Sequence, residues 1–165
     1  MKYTKRLLFA ILLAVIAFST NASAVEVDLK VNGIGLGTSY ATVVKNLGKP
    51  LKSKKTRYNN IDEICGGIPY TELILTYPGV IVELWSDKDR RKFDVISIKF
   101  TAGSKWAVSG LKIGASPKET TARLGKPTYN NKSSFGYINK GNDGGATFNF
   151  KNGKLTSVEW GSETC

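Results

Sequence analysis

Histidine is absent from all 165 residues. That removes a Ser-His-Asp triad, a Cys-His dyad, a histidine-ligated zinc and a histidine pH switch. Cysteine is scarce: Cys65 and Cys165 are the only two, too few for a four-cysteine zinc site or a four-thiolate iron–sulfur cluster. The expectation is a protein without metal or cofactor. Acids are also in short supply, 13 against 24 Lys+Arg, and the formal charge is +11. No apolar run is long enough to span a bilayer. The longest, LLFAILLAVIAF at 7–18, falls short of the roughly 20 residues a transmembrane helix needs. What is present, 41% apolar and 22% charged residues, is the composition of a globular chain.

The short apolar run has a context. Lys2, Lys5 and Arg6 precede it, and the small residues Ala22-Ser23-Ala24 follow it. A basic start, an apolar stretch and a small-residue cleavage site make a secretory signal over residues 1–24. The expected mature chain begins at Val25, with no cysteine there to carry a lipid. Three basic residues and no acids lie in the signal, so residues 25–165 carry +8. The expected location is periplasmic or extracellular. In an oxidising compartment Cys65 and Cys165 are candidates for a disulfide. Such a bridge would close a loop of about 100 residues, worth about 4–5 kcal/mol in the chain-entropy model. Two free thiols or an intermolecular pair are the alternatives.

The chain repeats itself. Residues 31–50, VNGIGLGTSYATVVKNLGKP, align without a gap on residues 108–127, VSGLKIGASPKETTARLGKP. Gly37, Ser39, Gly48 and Pro50 recur as Gly114, Ser116, Gly125 and Pro127. Ser39 and Ser116 read as helix N-caps, and Ser116 with Glu119 as a capping box. Gly48 and Gly125 read as helix stops, with Pro50 and Pro127 preventing resumption. VISIKF at 95–100 matches LTSVEW at 155–160, and GVIVEL at 79–84 matches GATFNF at 145–150. The spacing of Val95 and Ile98, and of Leu155 and Val158, predicts a β-bulge in each. Asn152-Gly153 predicts a tight hairpin. Further strands are expected at 52–58, 71–77 and 133–139. The pattern predicts an α+β protein of two tandem helix-plus-antiparallel-sheet repeats, 25–107 and 108–165, with the helices on one face of the sheet.

The motif G-[IL]-x-[IL]-G-x-S-x(7)-L-G-K-P, in tandem and followed by short strands, resembles the BLIP/BamE-like superfamily. The duplication is most similar to the secreted beta-lactamase inhibitory proteins. That resemblance implies an aromatic-rich sheet surface that clasps a protein partner. One loop departs from it: SDKDRRKFD at 86–94 is mainly basic, where the inhibitors insert an acidic residue.

Catalytic readings are weak. Cys65 has no histidine to activate it. Glu72 and Glu83 sit on neighbouring strands but read as solvated surface. Gly33, Gly35 and Gly37 lack the spacing of a phosphate loop and read as a structural turn. Secretion argues against nucleic acid as the partner of the basic excess. The expected function is a non-enzymatic protein-binding module, with an inhibitor of an envelope or secreted protein as one form of it. The candidate contacts are Trp85, Trp106, Tyr77, Lys88, Arg90 and Arg91, with Phe100 and Trp160 read as core. One alternative is an envelope factor that binds anionic glycan or lipid. Another is an immunity protein against a toxin delivered to the periplasm.

Overall fold

The computed structural model describes residues 25–58, 69–87, 92–141 and 144–162. The signal segment, Cys65, Cys165 and the loop residues Lys88, Arg90 and Arg91 lie outside them. In chain order the elements are β1 (Glu26–Val27), α1 (Tyr40–Leu47), β2 (Lys52–Tyr58), β3 (Tyr70–Tyr77), β4 (Val80–Asp87), β5 (Asp94–Thr101), α2 (Pro117–Leu124), β6 (Tyr129–Asn130), β7 (Ser134–Asn139), β8 (Gly145–Lys151) and β9 (Lys154–Gly161).

This architecture overturns the expected α+β arrangement of two helix-plus-sheet repeats. The protein is mostly β: one nine-stranded mixed sheet with two helices of 8 residues each. The strand order is β1-β7-β8-β9-β5-β4-β3-β2, with β6 paired to β7. All pairs are antiparallel except β1 with β7. The reason is the seam. Thr101 pairs with Ser157, and Ser97 with Gly161, so β5 and β9 join by main-chain hydrogen bonds. A sheet continuous across that seam is one folding surface, and helices this short contribute little to it. Val43 and Leu47 are the buried residues of α1, and Thr120 is that of α2.

The core lies on one face of the sheet. It gathers the alternate strand residues Leu75, Val82, Leu84, Ile98, Phe100, Phe148, Val158 and Trp160, with Val31, Ile34 and Val108 packed on them. Phe100 and Trp160 are the buried residues expected from the repeat. Two bulges bring the apolar positions of β5 and β9 to this face. Register slips by one between Glu83 and Leu84, opposite β5, and between Asn149 and Phe150, opposite β9. Ile96 and Thr156 are the extra residues, at the predicted places.

Local chemistry sets the turns. Asn32-Gly33 and Ser109-Gly110 take positive φ at both positions, +49° and +78°, then +46° and +89°. Such turns bend the chain back on itself. Val31 and Ile34 exchange both main-chain bonds, as do Val108 and Leu111. The two turns then meet, Val31 bridging Val108 and Ser109 donating to the Lys30 carbonyl at 2.7 Å. This glycine-rich segment is therefore a clasp between two turns. Ser116 accepts from the Glu119 amide at 3.2 Å and Glu119 Oε2 accepts from the Ser116 amide at 2.6 Å, completing the capping box.

Candidate functional site

Strand alternation puts the opposite set of side chains on the other face of the sheet. On β2, β3 and β4 these include Tyr58, Tyr70, Glu72, Glu83 and Trp85. The register places Tyr58 opposite Tyr70 and Glu72 opposite Trp85, with Ile74 opposite Glu83. Cross-strand neighbours on one face touch, directly or on the diagonal. Three aromatic rings accordingly stack across three strands. The Tyr58 and Tyr70 centroids are 4.7 Å apart, and those of Tyr70 and Trp85 4.2 Å. All three side chains are half-buried, so part of each ring faces solvent.

Beside this stack runs a groove of about 510 Å³, lined by Glu83, Ser97, Gly145, Thr147, Asn149, Glu159 and Gly161, among others. Gly145 pairs with Gly161, and Gly161 with Ser97. Three small residues in one row leave the trough. A Cβ on Gly161 would sit 3.3 Å from the Ile96 carbonyl oxygen, so a larger residue would crowd the floor.

The groove is acidic on its aromatic side. Burial pushes the Glu83 carboxyl above its ordinary range, and its hydrogen bond with Glu72 and the Glu72 charge push it further. The Trp85 indole pulls the other way, close enough to stabilise the Glu83 charge. That indole nitrogen is itself buried and lacks a hydrogen bond of full geometry. The Glu72 charge, more than burial, raises the Tyr58 phenol, whose oxygen lies 3.5 Å from Glu72 Oε2. Glu159, across the groove, is paired with Lys99 at 3.2 Å. Glu72 and Glu83 are thus diagonal neighbours on one face, with Glu83 half-buried rather than fully solvated.

The predicted contact residues divide. Trp85 is in the stack. Tyr77 is not available to a partner: it is 3% exposed on the core face, with its hydroxyl donating to the Gly48 carbonyl at 3.2 Å. Trp106 packs half-buried against the same core, edge-on to Tyr77 at 6.3 Å, under the Lys105 ammonium at 5.0 Å. Trp85 and Trp106 therefore do not share a surface, because Trp106 follows Tyr77 to the other side of the sheet. Tyr58, Tyr70 and the Glu72–Glu83 pair were missed as a site. Their signal was alternate spacing on adjacent strands, legible only once the register was known.

Two other hollows are poorer candidates. The wider one, about 770 Å³, lies by α2 between Lys112, Arg123 and Lys154. The capping box already takes two of the amides at that helix end, Glu119 accepting from the Ser116 amide and Ser116 Oγ from the Glu119 amide. A cavity of about 110 Å³ beneath Val27 and Leu29 is lined by Asn139 and Trp160. Asn139 Oδ1 and Trp160 Nε1 are buried there without hydrogen-bond partners, while Asn139 Nδ2 donates to the Gly161 carbonyl at 2.8 Å. Among the described residues no cluster of His, Cys, Asp or Glu is arranged to hold a metal, and no helix is long and apolar enough to cross a membrane. No family model, curated protein or solved structure matches the chain.

Proposed function

We propose that the protein is a secreted, non-enzymatic binding module that docks a protein partner on the open face of its sheet. The observation that carries this reading is the stack of Tyr58, Tyr70 and Trp85 beside an unfilled groove. Tyr and Trp supply large contact area at low entropic cost, and they dominate the energetics of protein interfaces. Stacked across strands, these three are already ordered, so binding does not have to freeze them. The resemblance of residues 31–50 and 108–127 to the BLIP/BamE-like superfamily supports the same reading. So does the signal-like start of the chain, which puts the partner among envelope or secreted proteins.

The test is affinity capture from an envelope extract, with residues 25–165 as bait and Trp85→Ala beside the parent. Trp85 is half-buried on the open face, so the variant should keep most of its melting temperature and lose the captured partner. A partner retained in full by Trp85→Ala would remove this face from the account.

A second reading has its own observation. Lys52, Lys54, Lys55 and Arg57 are exposed on β2, the strand at the edge of the sheet. A basic edge suits an anionic glycan or lipid. That binding should collapse between low and high salt, whereas an aromatic-centred protein interface should persist.

A further inference from the structure

The middle of the open face has the wrong sign for its protein. Residues 25–165 carry +8, yet the middle strands present Glu72, Glu83 and Glu159 outward. The cation opposite them, Lys99, is committed to Glu159 at 3.2 Å. Glu72 and Glu83 have no ion pair with any described residue. Holding the Glu83 carboxyl half-buried beside Glu72 costs stability, because burial and the Glu72 charge both oppose its ionisation.

We propose that the slot formed by Trp85, Tyr70, Glu72 and Glu83 takes an arginine side chain presented by the protein partner. The proposal rests on the open face being the docking surface, and names the chemistry that face selects. Three features of the slot fit a guanidinium. Tyr70 is sandwiched between Tyr58 and Trp85, so the free π-face is the outer one of Trp85, on which a cation within about 6 Å is attracted. A planar guanidinium stacks on such a face better than a compact ammonium does. Its five N–H donors fork, and can meet two carboxyl groups at once. Glu72 and Glu83 supply those two groups, on adjacent strands and on the diagonal. The buried Trp85 indole nitrogen, without a hydrogen-bond partner, lies near enough to Glu83 to favour its charged form, so the carboxyl sits by the ring that a stacked cation would meet. The groove beyond, about 510 Å³ with a floor of glycine and serine, leaves room for the main chain that carries the arginine. Lys52 and Lys54 of β2 share the face of the slot, so the favoured partner segment has an arginine bordered by acids.

The experiment uses the mature chain labelled with ¹⁵N-tryptophan, titrated with hexa-arginine, hexalysine and hexaglutamate peptides. The three indole signals from Trp85, Trp106 and Trp160 are resolved and assigned by substitution. Hexa-arginine should shift Trp85 saturably and leave buried Trp160 unmoved. Hexalysine should bind more weakly, and hexaglutamate should leave Trp85 where it was. Glu72→Gln with Glu83→Gln should weaken hexa-arginine by about tenfold or more, since both charged acceptors are gone. This pair of substitutions relieves a repulsion, so loss of folding is not expected, and a thermal melt checks it. The proposal is overturned if hexa-arginine leaves Trp85 unshifted, or if the double variant binds it as the parent does. The docking surface itself is judged separately. If the double variant still captures the envelope partner and Trp85→Ala does not, the face docks a protein by other chemistry.

Discussion

Tyr77 and Tyr137 carry the same bond at two places in the sheet. Tyr77, ending β3, donates its hydroxyl to the Gly48 carbonyl at 3.2 Å, and Tyr137, in β7, donates to the Gly125 carbonyl at 3.1 Å. Gly48 and Gly125 are the residues that terminate α1 and α2. Each phenol therefore ties a helix end to the sheet. Tyr137→Phe keeps the ring against Phe148, an edge-on contact at 5.3 Å, and removes the hydroxyl alone. A neutral hydrogen bond of this kind contributes about 1 kcal/mol net. Gly125 is half-buried, so water can replace the lost donor and the cost stays near that value. For a chain of this size, about 1 kcal/mol lowers Tm by about 3 °C. Tyr77→Phe should cost a similar amount. The two bonds share no partner, so the double variant should lose about 2 kcal/mol in urea unfolding, with an unchanged m-value. A second readout comes from alkali. Burial pushes the Tyr137 phenol up to about 12 from an ordinary 10. The folded state then holds a proton that the unfolded state releases. The contribution is complete below pH 10 and falls as pH rises towards 12. Tyr137→Phe should flatten that part of the stability–pH curve. A Tyr137→Phe variant within about 0.3 kcal/mol of the parent, with the alkaline slope intact, would refute the clasp.

Other outcomes follow from the same structure. Ser116→Ala should cost about 1 kcal/mol by chemical denaturation. Ser39→Ala should cost less, because its cap bond to the Thr42 amide is a long 3.4 Å. Gly79→Ala should be among the most damaging single changes, seen as a lost or much lowered thermal transition. Its φ is +65°, and an added Cβ would meet the Ser104 amide and the Thr101 and Ala102 carbonyls inside van der Waals distance. Glu83→Gln should leave stability at neutral pH unchanged or raised. The Glu83 carboxyl is held above its ordinary range, so its ionisation favours unfolding. Stability in the parent should therefore decline as pH rises from below the unfolded value through the raised folded one, and the variant should lack that decline.

The parts of the fold that could be read in the chain are those made by neighbours in sequence. Ser116 and Glu119 are three apart, so one helical turn brings them together. Asn152-Gly153 turns β8 into β9 with both residues at positive φ, +52° and +68°. The three-residue spacing of Val95 to Ile98 and of Leu155 to Val158 foretold both bulges. The misreadings concern partners far apart in the chain. The pairing of β5 with β9 and of β1 with β7 merged the expected repeats into one mostly β sheet, and no local pattern encodes such an edge. Tyr77 and Trp85 looked alike as strand aromatics. Eight residues apart, across a turn, they fall on opposite faces.

By itself, then, the sequence determined the turns, the helix caps, the bulges and the absence of any histidine chemistry, since each depends on residue type or on spacing within a few positions. Tertiary structure alone decided the shape of the sheet and the membership of the open face. Tyr58, Tyr70, Glu72, Glu83 and Trp85 became one surface only through the registers of β2 on β3 and β3 on β4. A shift of one residue of β2 on β3 would turn Tyr58 into the core, and of β4 on β3 would turn in Glu83 and Trp85, because strand side chains alternate with a period of two.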